Sequence, residues 1–152
     1  MQLHKELVLL TYVSFLFTVA LPSPYRLKSR HDFQAVFREG IRRHSSYLTL
    51  RALRPSHPVK HGENDTKADT EHVPTRIGIS ISTKVSKHAV VRNRLKRQIS
   101  AALYHLLPQI LPGWRLVIVV KPTAAEQRCV TQQFLQELEQ LLAQAEVLNG
   151  HS

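Results

Sequence analysis

Residues 92–97 read RNRLKR, which places Arg92, Arg94, Lys96 and Arg97 within six positions, with Asn93 among them and no acidic neighbour. Guanidinium groups match phosphate oxygens bidentately, and an ammonium attracts them as a point charge, so the pattern suits a phosphate backbone. On a 3.6-residue period Asn93, Arg94 and Arg97 project away from the apolar positions Val91, Leu95, Ile99, Ala102, Leu103 and Leu106, with Lys96 on the flank. Arg92 lies nearer the apolar edge and can serve the fold as much as a ligand. Lys84 and Lys87 precede this helix at its positive end, where phosphates also bind well.

A basic helix by itself fits a solvated face, a membrane surface or a DNA groove. The membrane reading fails because the opposite, apolar face is needed to cover a sheet. A helix-turn-helix fails because strands flank the helix on both sides. Charge along the 152 residues narrows the choice. The net charge is +10, and residues 76–125 hold nine Lys/Arg and no Asp/Glu. So much uncompensated charge implies a polyanionic partner, nucleic acid before membrane.

The elements that must position the helix follow from pattern. Ser29 caps a helix carrying Phe33, Val36 and Phe37, with Asp32 in its first turn and Gly40 just past its end. Residues 46–53 alternate as a strand with Leu48, Leu50 and Ala52 on one face. Residues 55–75 are polar, acidic and Pro-bearing, and read as a flexible connector. Residues 76–83 alternate Ile77, Ile79 and Ile81 against a flat face of Gly78, Ser80 and Ser82, which either is simply solvated or lets something large approach. The basic helix follows over about 89–107 and Pro108 stops it. Residues 114–121 form a nearly continuous apolar strand, expected at the centre of a sheet. Thr123 and Glu126 form a capping box for a last helix with Val130, Phe134, Leu138, Leu141 and Leu142 facing the core. The expected fold is α+β, a small sheet covered by helices.

Cys129 is the single cysteine and reads as an inert thiol, and the nine histidines are scattered, so no metal site is expected. Residues 7–21 form an uncharged apolar run, short for a membrane span. The preferred reading is a translation start near Val19, which leaves residues 1–24 as an uncertain extension. An export signal cleaved after Ala20, or a membrane anchor, are the alternatives. One domain over 25–146 and a tail over 147–152 complete the division.

The run GISISTKVSKHAVVRNRLKR (78–97) resembles the signature of the bacterial ribonuclease P protein subunit, with its RNR box on this helix. YRLKSRHDFQAVFREG (25–40) resembles that family's N-terminal segment, and VIVVKP (117–122) its strand ending in a basic–proline pair. The likeness spans about 26–56 and 76–142. Thr83 stands where the family often has lysine, Ser100 where an arginine is common, and the connector is longer than usual.

The resemblance implies a fold like the second domain of ribosomal protein S5, with a left-handed βαβ crossover. It implies that the RNR face, here Arg92, Asn93, Arg94 and Arg97, docks on the catalytic RNA, and the neighbouring Lys84, Lys87 and Lys96 are expected to join that contact. It further implies a cleft on the sheet, formed by Arg26, Lys28, Phe33, Phe37, Ser80 and Lys121, for the single-stranded 5′ leader of precursor tRNA. Phe33 and Phe37, which pattern alone assigns to the core, match the family's cleft aromatics. In this family the RNA performs the hydrolysis with bound Mg²⁺, so the protein is expected to supply no catalytic residue and to hold no metal. No DNA or stable membrane association is implied, and the expected compartment is the cytoplasm. A ribosomal or ribosome-associated RNA-binding protein is the alternative, and an exported protein binding anionic surfaces is a second.

Overall fold

The computed structural model describes residues 21–55, 73–126 and 131–149. The apolar run up to Ala20, positions 56–72 of the connector, Cys129, Val130 and positions 150–152 lie outside them. Helix α1 (Arg30–Glu39) leads into strands β1 (Ile41–His44) and β2 (Leu48–Leu53), followed by β3 (Arg76–Ser80) and helix α2 (Ala89–Leu106). Strand β4 (Arg115–Val120) and helices α3 (Thr123–Glu126) and α4 (Thr131–Gln144) complete the order. The sheet runs β1-β2-β4-β3; β2 pairs antiparallel with both β1 and β4, and β3 pairs parallel with β4. A parallel pair needs a crossover, and α2 supplies it. The α+β expectation holds.

The apolar run of β4 sits inside the sheet, because both of its faces are covered. Leu116, Ile118 and Val120 join Leu48, Leu50, Ala52 and Ile77 against Leu95, Ile99 and Leu103 of α2 and Phe134, Leu138, Leu141 and Leu142 of α4. Each of the Leu, Ile, Val and Phe side chains among them, fully buried, contributes about 1.5–3 kcal/mol. On the other face Val117 packs with Leu27 and Val36, flanked by Phe33, Leu53 and Val119. Among the described residues α1 is the helix on that face, and it covers only part of it.

Several boundaries differ from expectation. The strand β3 ends at Ser80, so Ser82 belongs to the following loop and not to the flat face. Strand β1, with the sequence IRRH, has no apolar alternation and is held by its pairing with β2. Ser29 precedes α1 but caps it with its carbonyl, which accepts from the Phe33 N–H at 3.1 Å; its hydroxyl makes no cap bond. Asp32 lies in the first turn as expected and also pairs with Arg115 at 3.1 Å. Gly40 is extended (φ −71°), not left-handed; a Cβ there would run into the Val36 carbonyl and lie 3.1 Å from the Ala52 carbonyl oxygen. The Thr123 hydroxyl donates to the Ser46 carbonyl at 3.0 Å, so it ties α3 to the β1–β2 turn and forms no capping box.

Both ends of the expected domain extend further. Leu21 is buried in the main core. Residues 147–149, expected as a tail, close the fold: Val147 and Leu148 are buried, Leu148 bridges Ile110, and the Leu111 N–H donates to the Val147 carbonyl at 2.8 Å. The chain turns into this segment through Glu146, whose φ of 62° is left-handed.

Candidate nucleic-acid interface

The apolar face of α2 is consumed by the core, so its other residues are forced outward. Asn93, Arg94, Lys96 and Arg97 are exposed, while Arg92 is half-buried. The Arg92 guanidinium donates to the Ser86 carbonyl at 2.8 Å, and its N–H to the His88 carbonyl at 3.2 Å. It fastens the incoming loop to the helix, the structural role its position suggested. Val85 anchors that loop in the core and leaves Lys84 and Lys87 exposed on either side. Among the described residues, none of Lys84, Lys87, Arg94, Lys96 and Arg97 has an acidic partner. Ser100 is buried, so it is no part of this cationic face.

The second surface is the sheet face that α1 half covers. Strand register sets Ser80, Val119, Thr49 and His44 in one row and Gly78, Val117, Arg51 and Arg42 in the next. The Phe33 ring rests on Gly78, where a Cβ would come within 2.5 Å of its Cε1. The flat strand thus receives a ring from its own chain. Phe37 is 42% exposed, with the Arg51 guanidinium 5.6 Å from its ring centroid. The same guanidinium donates to the Phe37 carbonyl, which holds this cation–π pair in place.

The remaining expected cleft residues are spread around this face. The Lys121 ammonium donates to the Ser45 carbonyl at 2.6 Å, and its N–H to the Tyr47 carbonyl at 2.9 Å. Together with Thr123 and with Glu137, which accepts from the Tyr47 N–H at 3.1 Å, Lys121 fixes the β1–β2 turn. Arg26 and Lys28 lie along the outer edge of β3, where Arg26 bridges Ile77. Arg26 donates to the Leu21 carbonyl, and Lys28 to the Ser23 hydroxyl at 2.7 Å. Phe33, Phe37 and Ser80 therefore share the face, and Lys121, Arg26 and Lys28 frame it.

Sequence reading missed Arg42, His44 and Arg51. Period-two alternation in the strand already recognised puts Arg51 opposite Leu50 and Ala52, which was a usable signal. Arg42 and His44 needed β1. Partial desolvation, then the charges of Arg42, Lys121 and Arg51, hold the His44 pKa below its ordinary 6.5. A cavity of about 350 Å³ lined by Asp32, Arg76, Trp114 and Arg115 opens at the other end of the sheet, among the first residues of β3 and β4.

The family model for ribonuclease P matches residues 21–146, a span that takes in both surfaces and the closing Glu146 turn. The chain belongs to the ribonuclease P protein family. It is 66% identical over 141 residues to the ribonuclease P protein component of Trichormus variabilis, covering 88% of this chain and all of that one. To the ribonuclease P protein component of Nostoc punctiforme it is 65% identical over 140 residues, with the same coverage of both. The structure of the Staphylococcus aureus RNase P protein superposes with a TM-score of 0.63 at 26% identity, over 82% of this chain and 98% of that one. Among the described residues of this ribonuclease P protein, no helix is long and apolar enough to cross a membrane.

Proposed function

We propose that the protein binds the catalytic RNA of ribonuclease P through α2 and holds the 5′ leader of precursor tRNA on the open sheet face, so promoting endonucleolytic removal of the leader. One observation carries this reading: Asn93, Arg94, Lys96 and Arg97 stand exposed on a rigid helix, with no acidic partner among the described residues. Cations left unpaired on a packed scaffold are preorganised for phosphate, and displacing counterions from RNA drives their binding. Phe37 offers an accessible ring at the mouth of the second surface, suited to unpaired bases. No observation favours the ribosome-associated alternative.

Hydrolysis falls to the RNA in this reading. Mg²⁺ prefers carboxylate and phosphate oxygens, whereas Phe33, Phe37, Ser80, Arg51 and Lys121 offer no carboxylate, so the donor set does not fit an ion held by the protein. What the chain's own residues do is neutralise phosphates and orient the leader, in the bacterial cytoplasm where precursor tRNA is made. The test is cleavage of precursor tRNA by the cognate catalytic RNA at low Mg²⁺, with and without the protein. Stimulation that grows with leader length supports the reading. Tight RNA binding without stimulation overturns it and leaves α2 as a general RNA anchor.

A further inference from the structure

His44 ends the row that runs from Ser80 across Val119 and Thr49. Its ring is exposed and anchored through Nδ1, 3.1 Å from the Thr49 hydroxyl. That bond turns Nε2 away from Thr49, and among the described residues Nε2 has no partner. Three cations act on the ring: exposed Arg42 two residues back on the same face, Arg51 held against Phe37, and Lys121 held by the Ser45 carbonyl. Of the described carboxylates on the neighbouring elements, Glu39 pairs with Arg38 at 3.3 Å, and Glu137 accepts from the Tyr47 N–H through Oε1. The fold thus gathers positive charge around an imidazole, and among the described residues no carboxylate forms an ion pair with it or with these cations.

We propose that His44 is a phosphate ligand of the leader surface and takes up a proton as the RNA strand arrives. The proposal rests on the reading that this face holds the leader. In the free protein desolvation, and then the three cations, lower the imidazole pKa from its ordinary 6.5, which favours the neutral form at pH 7. A phosphodiester entering the cluster offsets those charges. The imidazole then accepts one proton from the buffer, and its Nε2–H donates a charge-assisted bond to a phosphate oxygen. No other bond forms or breaks. Because the bound pKa lies above the free one, leader binding tightens as pH falls through the bound value, by up to about tenfold per pH unit between the two.

The experiment is calorimetric titration of holoenzyme, assembled from the full chain and catalytic RNA, with leader-bearing precursor tRNA and with leaderless tRNA. Two buffers of different ionisation enthalpy report the protons exchanged, over pH 6 to 8. The expected result is an uptake approaching one proton specific to the leader. It vanishes in His44→Gln, and His44→Lys binds the leader with an affinity that no longer varies with pH. Equal uptake in wild type and His44→Gln overturns the proposal, as does uptake at the earlier step of assembly with catalytic RNA. A holoenzyme that binds both tRNAs equally sinks the leader reading itself, whatever His44 does.

Discussion

Gly78 provides the sharpest test of how the open face is built. Replacing it with alanine should destabilise the protein, although glycine inside a strand normally costs about 0.5–1 kcal/mol relative to alanine. The reversal comes from Phe33, because the new Cβ would lie within 2.5 Å of the ring's Cε1. Carbon–carbon contacts settle at about 3.5–4.0 Å, so the ring must withdraw by about 1 Å or more. Overpacking of that kind costs about 1–3 kcal/mol. Set against the propensity gain, the net loss is about 0.5–2 kcal/mol, a fall in melting temperature of roughly 2–8 °C for a domain of this size. Thermal unfolding by circular dichroism would measure it, alone and in a Phe33→Ala background. With the ring gone, Gly78→Ala should be neutral or stabilising, and the coupling between the two sites should reach about 1–3 kcal/mol. An equal effect in both backgrounds would refute the argument that Gly78 exists to seat Phe33.

Other outcomes follow from the same geometry. Arg94→Ala should weaken binding to the catalytic RNA and lower the salt slope by about one, with melting temperature unchanged because the side chain is exposed; unfolding of the variant would show the outward assignment to be wrong. Thr75→Val should cost about 2 kcal/mol or more in urea unfolding, because the buried hydroxyl donates to the Leu111 carbonyl and accepts from the Trp114 N–H at 3.1 Å. A midpoint equal to wild type would mean water replaces both bonds.

Most of the scaffold was legible because burial and periodicity coincide. The core positions of α2 and the run in β4 are apolar on the faces the fold buries. Where the lateral partner decides the structure, pattern gave no warning. Arg42, Arg43 and His44 form a strand only because β2 pairs with them. Thr123 had a ready capping partner in Glu126, yet the β1–β2 turn brings the Ser46 carbonyl to its hydroxyl instead. Gly40 stands just past α1 as the pattern expects, but what excludes a side chain there is the approach of the Val36 carbonyl and, from the tertiary fold, of the Ala52 carbonyl. The exposed residues of α2 were readable from sequence, because a helix stripe fixes both of its faces. The cluster of Arg42, Arg51, Lys121 and His44 was not, because it is assembled from β1, β2 and the residue that follows β4.

The closing segment bears on how the protein is made. Phe134, Leu138, Leu141, Leu142 and Val147 are fully enclosed, and they come last in the described chain. A polypeptide interrupted before Thr131 already carries all nine cations of residues 76–125 but lacks the α4 side chains that pack against the sheet and the apolar side of α2. It also lacks three glutamates, with no Lys/Arg among residues 131–152 to offset them. Such a fragment carries more net positive charge than the whole chain and exposes apolar surface that α4 would bury. The packing that holds the basic helix in place is therefore completed late in synthesis, when α4 docks against the apolar side of α2.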